Sequence, residues 1–235
     1  MFGLHSAKDK LIISLDGDSL EHAALLVDTL KSEVTNFKVG MQLFTSCGPS
    51  AIKMIQDHGG KVFLDLKYHD IPSTVAKAVY SATKLGVAMI NVHATGGRKM
   101  MAEALAAAQD AALKEPPMII GVTVLTSMES LGDIGIQFEI REQVVRLAKL
   151  ASEVGLHGVL ASPLEIQPIR TACGKKFTIV TSGIRPAGTH LDDQARIASP
   201  KQAIQAGADF LVVGRPVTEA KDPMAAVRVI LKEMG

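Results

Sequence analysis

The stretch KVFLDLKYHDIPST, residues 61–74, has the pattern of a strand followed by the start of a helix. Its first part, from Lys61 to Lys67, is mostly apolar, which is typical of a strand in a parallel sheet that is covered on both faces. Pro72 then suits the first turn of a helix, where the N–H that it lacks would have no partner in any case. The stretch therefore predicts a β-strand that leads directly into an α-helix.

The same unit recurs along the whole chain. Eight short runs rich in Val and Ile are each separated from the next by a longer, helix-like segment, and they are Leu11–Asp16, Asn36–Met41, Lys61–Lys67, Met89–Ala94, Met118–Thr126, Gly158–Ser162, Phe177–Ile184 and Phe210–Arg215. Predicted helices begin at Ser19 and Ile71 and cover Arg98–Leu113, Glu139–Val154 and Asp222–Met234.

These units average about 29 residues over the 235 residues of the chain. That length fits a (β/α)8 barrel better than a doubly wound sheet, which usually has fewer strands and a reversal of strand order. We therefore predict an α/β fold in which residues 1–235 form a single (β/α)8 TIM barrel domain.

Composition argues against several classes of protein. The 25 Lys and Arg residues nearly balance the 24 Asp and Glu residues, so a general binder of nucleic acid or membrane surfaces is disfavoured. The longest uncharged stretch, Val39–Ile52, has 14 residues, whereas a membrane-spanning helix needs about 18–20 apolar ones. Cys47 and Cys173 are too few for a disulfide framework or a Cys-rich zinc site. We expect a cytoplasmic protein with no nucleic acid or membrane partner.

Four charged residues fall near the carboxyl ends of the first three predicted strands, where barrel enzymes place their active sites. They are Asp16, Lys38, Asp65 and Lys67. Asp65 and Lys67 are two positions apart, so both point into the barrel mouth if the leucines beside them face the helices. A buried ion-pair network is the structural alternative, but burying an ion costs several kcal/mol unless it is well paired. Two ammonium and two carboxylate groups together favour a preorganised electrostatic site, in which an ammonium stays protonated and serves as an acid.

Two further strand ends predict a phosphate site. Residues 182–185, SGIR, end the seventh predicted strand, and Gly214, Arg215 and Pro216 end the eighth. Loops after strands seven and eight commonly bind phosphate in barrels, because glycines let backbone N–H groups approach the anion and guanidinium groups match its oxygens. The histidines show no metal-ligand spacing, and we find no dinucleotide or nucleoside triphosphate motif and no nucleophile elbow.

These residues resemble one family. The run from Asp65 to Thr74, DLKYHDIPST, is similar to the signature of the orotidine 5′-phosphate decarboxylases. Other matching motifs follow in the family's order over essentially the whole chain: Leu15-Asp16, Phe37–Gly40, Asn91–Ala94, Leu125–Ser127, Gly183–Arg185 and Val213–Pro216. The Asp-x-Lys-x-x-Asp core is shared with metal-dependent relatives, but the longer stretch together with Lys38 and the Leu-Thr-Ser motif is specific.

The resemblance implies decarboxylation of orotidine 5′-phosphate to UMP and CO2 without a metal or cofactor. Lys67 would stabilise the carbanion that forms at pyrimidine C6 and would then protonate it. Asp65 would lie near the departing carboxylate. Lys38 would pair with Asp65 and contact the ribose, to which Asp16 would also hydrogen-bond.

The resemblance also implies which residues bind the pyrimidine and the phosphate of the substrate. Ser127 and the backbone of Thr126 would contact the edge of the pyrimidine. Gln194, Arg215 and the amide of Gly214 would bind the phosphate.

The resemblance implies that three more residues act in loop closure or in dimer formation. Arg185 would accompany closure of the loop 185–199 over the substrate. Asp70 and Thr74 would reach into the site of a neighbouring subunit, which implies a homodimer with shared sites. On residue position alone, Asp70 is also explained as an acidic residue beside a helix N-terminus, where a carboxylate is stabilising.

Two other functions stay open. A metal-dependent relative that acts on a sugar phosphate would need Mg2+ held by carboxylates, and the ammonium of Lys38 argues against it because it would repel the metal. A non-catalytic barrel that senses or stores a phosphorylated pyrimidine would keep Gly214 and Arg215 but would not need the array of Asp and Lys residues.

Overall fold

The computed structural model describes residues 6–112, 114–186 and 196–235. Its strands are β1 Leu11–Leu15, β2 Asn36–Gly40, β3 Lys61–Tyr68, β4 Met89–His93, β5 Met118–Val122, β6 Gly158–Ala161, β7 Thr178–Thr181 and β8 Phe210–Val213. Each strand pairs in parallel with the next, and β8 pairs with β1, so the sheet closes into a barrel. Closure in sequence order confirms the predicted (β/α)8 barrel and excludes the doubly wound sheet.

Helices follow most of the strands. They are α1 Ala7–Lys10, α2 Leu20–Leu30, α3 Met41–Cys47, α4 Pro49–Asp57, α5 Pro72–Lys84, α6 Gly97–Ala111, α7 Ile140–Val154, α8 Ile166–Cys173, α9 Pro200–Ala206, α10 Arg215–Thr218 and α11 Pro223–Met234. Short 3-10 turns cover Ala94–Gly96, Gly132–Ile134 and Pro163–Glu165. Within the described ranges no helix has both the length and the apolar character that crossing a membrane requires.

The predicted helix starts are found where the sequence placed them. Ser19 caps α2, because its side chain accepts a hydrogen bond from the backbone N–H of His22. Pro72 is the first residue of α5. Ser19 thus provides a partner for one N–H group in the first turn of α2, and Pro72 has no N–H group that would need one.

Two strands are shorter than predicted. The predicted run Met118–Thr126 forms a strand only to Val122, and Phe177–Ile184 only over Thr178–Thr181. Val124 and Ile184 are nevertheless buried, because both pack into the apolar cluster between strands and helices. The apolar runs therefore predicted correctly which residues are buried, but the predicted strands were too long.

The core has two layers. Nine side chains fill the barrel interior: Ile12, Phe63, Met89, Ile120, Val122, Leu160, Val180, Phe210 and Val212. The outer layer lies between strands and helices and takes up the alternate positions, among them Leu64 and Leu66 of β3. Phe63 faces the interior, so alternation directs Asp65 into the barrel as well, above the apolar layer.

Candidate active site

A pocket of about 230 Å³ opens at the carboxyl ends of the strands. Its floor is apolar and includes Phe63, Val122 and Val212 from the barrel interior. Its polar wall is formed by Ser14, Asp16, Lys38, Asp65, Lys67, Thr126, Ser182, Gly183, Arg185, Gly214 and Arg215. The structure thus brings most of the residues that the sequence singled out into one cavity.

Four charges of alternating sign form a chain across one side of this pocket. Lys67 Nζ lies 2.7 Å from Asp65 Oδ1, and Lys38 Nζ lies 3.1 Å from Asp65 Oδ2. Lys38 Nζ also lies 3.6 Å from Asp16 Oδ1, which completes the chain. Each oxygen of the Asp65 carboxylate therefore faces its own ammonium group.

Asp65 stays ionised in spite of its burial. Loss of water around the carboxylate raises its pKa, but the charges of Lys38 and Lys67 and the hydrogen bonds from Lys67 and Asn91 outweigh that effect and lower the pKa to about 2. The residue is only 6% exposed, so its negative charge is compensated almost entirely by protein groups. A buried anion flanked by two cations matches the predicted electrostatic site.

Two glycines leave room for this arrangement. A Cβ atom on Gly40 would lie 2.9 Å from Lys38 Nζ, and one on Gly214 would lie 3.0 Å from Asp16 Oδ2. Real Cβ atoms essentially never come closer than 3.0 Å, so a side chain at Gly40 would displace the ammonium. Gly40 therefore leaves space for the Lys38 ammonium, whereas a side chain at Gly214 would make a tight contact with the Asp16 carboxylate.

The opposite side of the pocket carries the predicted phosphate and pyrimidine groups. Arg185 follows β7, is buried, and donates from Nη1 to the carbonyl of Ile184 at 3.1 Å. Arg215 follows Gly214 at the end of β8 and is half-buried. Thr126 also lines the pocket, whereas Ser127 is exposed one residue further along the loop after β5.

The remaining predicted residues lie elsewhere. Asp70 and Thr74 are exposed, and neither lines the pocket of its own chain. The Asp70 carboxylate accepts a hydrogen bond from the backbone N–H of Ile71 at 2.6 Å, just before α5. Gln194 lies outside the described residues.

Sequence reasoning assigned no role to two polar residues beside the charged chain. Ser14 is buried on β1, two positions before Asp16, and its hydroxyl lies 2.9 Å and 3.0 Å from the two carboxylate oxygens of Asp16. Asn91 on β4 is fully buried and donates from Nδ2 to Asp65 Oδ1 at 2.6 Å. Both are polar residues at positions of predicted strands whose side chains point into the barrel. The alternation of inward and outward positions along each strand was the signal available in the sequence.

A buried ion pair behind the pocket was also missed. Arg196 Nη1 donates to Glu165 Oε1 at 2.8 Å, and Arg196 Nη2 donates to the carbonyl of Leu125 at 2.9 Å. Leu125 directly precedes Thr126, so this pair ties the loop after β5 to the end of β6. Its members are far apart in the sequence, and no local pattern connects them.

Within the described residues, 6–112, 114–186 and 196–235, no three His, Cys, Asp or Glu side chains are arranged to bind a metal ion. In the pocket itself, the carboxylates of Asp16 and Asp65 already face ammonium groups.

Comparison with known proteins gives one consistent result. A profile of the orotidine 5′-phosphate decarboxylase / HUMPS family matches residues 9–230. The chain is 52% identical to the orotidine 5′-phosphate decarboxylase of Syntrophotalea carbinolica, over 99% of this chain and 97% of that protein. It is 50% identical to the protein of the same name from Moorella thermoacetica, over 100% and 95% of the two chains.

The same similarity holds in three dimensions. The crystal structure of orotidine 5′-phosphate decarboxylase from Lactobacillus acidophilus superposes with a TM-score of 0.85 at 37% identity, covering 96% of this chain and 98% of that one. Sequence similarity over the full length, the closed barrel and the pairing of Lys38, Asp65 and Lys67 agree with the resemblance found in the sequence. We conclude that this chain belongs to the orotidine 5′-phosphate decarboxylase family.

Proposed function

We propose that this chain, acting as one (β/α)8 domain, decarboxylates orotidine 5′-phosphate to UMP and CO2 in pyrimidine synthesis, without a metal or cofactor. The observation that carries the proposal is the buried, ionised Asp65 between the ammonium groups of Lys67 and Lys38, at 2.7 and 3.1 Å, in a pocket that Arg215 also lines. The relatives that carry this name are about half identical over nearly their whole length.

Lys67 supplies the chemistry of the reaction. The bond between C6 and the carboxylate breaks, its electron pair stays on C6, and CO2 departs. No carbonyl is placed to delocalise that charge, so a cation fixed beside C6 is what stabilises it. The Lys67 ammonium then transfers one proton from Nζ to C6, which gives UMP, and the neutral amine regains a proton from water.

Asp65 and Lys38 hold this cation in place. Asp65 Oδ1 contacts Lys67 Nζ, so the carboxylate orients the proton donor. The substrate carboxylate binds close to Asp65 and is released as neutral CO2, which removes the repulsion between the two anions. Lys38 partly offsets that repulsion and contacts the ribose together with Asp16.

The other side of the pocket binds the rest of the substrate. Arg215, the amide of Gly214 and Gln194 bind the phosphate, and the backbone of Thr126 with Ser127 contacts the pyrimidine. Guanidinium groups form paired, charge-assisted hydrogen bonds with phosphate oxygens, which fits Arg215 at the rim.

Arg185 closes with the loop 185–199 once phosphate is bound. Binding energy from this remote group thus completes the site and excludes water.

We further propose that the active form is a homodimer in which Asp70 and Thr74 complete the partner's site. Both residues are exposed on the rim of the barrel, and Ile71 between them is 64% exposed, which is large for an apolar side chain. A second copy that covers this rim would bury Ile71 and bring the Asp70 carboxylate close to a neighbouring pocket. The free thiols of Cys47 and Cys173 fit a reducing compartment, and we place the enzyme in the cytoplasm.

The direct test is the ultraviolet absorbance change of orotidine 5′-phosphate when purified protein is added in the presence of EDTA. Conversion to UMP in chelator is the expected result, and it would also exclude a metal-dependent reaction. Activity only with Mg2+ and a keto-sugar phosphate would assign the chain to the metal-dependent relatives instead. Binding of UMP without any turnover would leave a sensing or storage protein.

The shared site is tested by mixing two inactive variants. Lys67→Ala and Asp70→Ala chains should each be inactive alone, whereas hybrid dimers should regain activity because one of their two sites carries both native residues. Subunit exchange is monitored separately with differently tagged chains. Exchange without any recovery of activity would contradict a site completed by the partner.

A further inference from the structure

Asn91 touches both residues of β3 on which the proposed reaction depends. Its side chain is completely buried on β4. Nδ2 donates to Asp65 Oδ1 at 2.6 Å, and Oδ1 accepts the backbone N–H of Lys67 at 2.8 Å. One amide group therefore connects the carboxylate of Asp65 with the main chain that carries the proton donor.

The main chain at Lys67 needs such a support. Its φ is +50°, and it is the only non-glycine residue with positive φ in the described ranges. A side chain in this left-handed region costs about 1–2 kcal/mol. The pairing of β3 with β4 also shifts between Leu64 and Tyr68, and in that interval the N–H of Lys67 is accepted by a side chain.

The contacts of Asp65 divide between its two oxygens. Oδ1 accepts from both Lys67 Nζ and Asn91 Nδ2, at 2.7 and 2.6 Å, while Oδ2 faces Lys38 Nζ at 3.1 Å. Rotation of the carboxylate would break the bond to Asn91. Asn91, a neutral group on the neighbouring strand, therefore helps the two ammonium groups to hold the orientation of Asp65, and with it the place of the Lys67 ammonium.

We propose that Asn91 is a positioning residue for the decarboxylation: it holds Asp65 and the strained backbone of Lys67 in the geometry that places the Lys67 ammonium at the reacting carbon. This inference rests on the proposed function. An uncharged amide of this length suits the position, because the side chain must donate to a carboxylate and accept from an N–H at once. An apolar residue would leave both partners without their bonds, and an ionised carboxylate would repel Asp65.

The first test compares Asn91→Ala with Asn36→Ala. Asn36 is a matched control: it lies on β2, is 1% exposed, and donates from Nδ2 to the carbonyls of Asp9 and Leu11. Both variants should lose stability, since each loses buried hydrogen bonds. Only Asn91→Ala should lower kcat, by about 10²-fold as expected for a displaced catalytic group, with little change in KM.

The second test uses Asn91→Asp, which has the shape of the native residue. When the new carboxyl group is protonated, it can donate to Asp65 and accept from Lys67 N–H as the amide does. The titratable groups around this position are Asp65, Lys67, Lys38, His93 and His69. On the other side of β4, the strand β5 (Met118–Val122) has no titratable side chain.

Burial and the negative charge of Asp65 raise the pKa of the new carboxyl group, so its neutral form persists to higher pH. The kcat of Asn91→Asp relative to wild type should therefore be highest at pH values below that pKa and fall roughly tenfold for each pH unit above it. Circular dichroism at each pH separates this loss from unfolding.

Measuring the wild type in parallel separates the possible failures. If wild type converts the substrate but Asn91→Ala keeps its kcat, or if Asn91→Asp shows a loss that does not depend on pH, the positioning role is overturned. A wild type that does not convert orotidine 5′-phosphate overturns the proposed function, and this inference with it.

Discussion

The two halves of the barrel mouth are built in different ways. On one half three of the four charged groups lie within strands, with Lys38 in β2 and Asp65 and Lys67 in β3, while Asp16 directly follows β1. On the other half the polar groups lie beyond the strand ends, with Thr126 after β5 and Arg185 after β7. The first set is held by the sheet and by mutual ion pairs, whereas the second is carried by the segments that follow the strands.

This difference matches what each half must do in the proposed reaction. A group that stabilises charge at one atom must be held within a fraction of an ångström, and strands provide that precision. Groups that bind phosphate and base can move with the substrate, and loops allow such closure. We therefore expect changes on the strand side to act on the chemical step and changes on the loop side to act on binding and closure.

The largest expected effect is that of Lys67→Ala on the strand side. Removal of the ammonium removes both the stabilising cation and the proton donor, so kcat should fall by about 10³-fold or more. UMP should still bind, because the loop side is intact. Steady-state kinetics and calorimetric titration with UMP measure the two quantities.

Lys61→Ala is the matched control for this variant, because Lys61 lies at the exposed, opposite end of the same strand. It should keep its activity. Substantial residual kcat in Lys67→Ala would remove this residue from the role of proton donor.

A smaller effect is expected from Arg215→Ala on the loop side. Hydrogen bonds to charged groups contribute about 1.5–3 kcal/mol, so kcat/KM for orotidine 5′-phosphate should fall by roughly 10–10²-fold. The same substitution should leave any rate measured with orotidine, which has no phosphate, unchanged. An equal loss with both substrates would mean that Arg215 does not act through the phosphate.

The division of the loss between kcat and KM sharpens the comparison further. If phosphate binding drives closure of the site, Arg215→Ala lowers kcat and raises KM together. A change in KM alone would mean that the phosphate contributes equally to ground-state and transition-state binding.

The loss of stability in acid reports on the strand side through Asp65. The pKa of Asp65 is about 2 in the folded protein against 3.8 normally, because Lys38 and Lys67 more than offset the effect of burial. The folded state therefore takes up this proton at lower pH than the unfolded state does. The stabilisation is fully present above the normal pKa and is lost as pH falls through the folded one.

For wild type this loss amounts to about 1 kcal/mol by pH 3 and about 2 kcal/mol by pH 2. Asp65→Asn is less stable at pH 7 but lacks this titration, so its difference from wild type should shrink as the pH is lowered. Urea unfolding between pH 7 and pH 3 measures the difference. Asp57→Asn, at an exposed ion pair with Lys53, serves as the control with a nearly constant difference.

Much of this comparison could be predicted from the sequence. The eight apolar runs predicted the barrel, because a parallel strand that is buried on both faces is apolar over nearly its whole length. Lys38, Asp65 and Lys67 could be placed together because strand alternation and barrel topology leave little choice of direction.

What escaped prediction depends on contacts between distant segments. The role of Asn91 depends on a register shift between β3 and β4, and the pair of Arg196 and Glu165 joins segments 31 residues apart. Neither produces a local sequence pattern. The functions of Asp70 and Thr74 require a second chain, so they stay predictions, as does that of Gln194.

The smallest expected effect tests whether the strand side stores strain at its catalytic residue. Lys67→Ala and Lys67→Gly remove the same ammonium and the same ion pair to Asp65, but they differ in the cost of the positive φ of 50°. Glycine adopts this conformation readily and alanine does not, so Lys67→Gly should be the more stable variant by about 1 kcal/mol. Urea unfolding of both variants at pH 7 gives the difference, and both should be inactive. At an ordinary strand position alanine is the more stable of the two. A more stable Lys67→Ala would therefore mean that the backbone at this position relaxes once the ammonium is gone, and that the strain belongs to the ion pair rather than to the strand.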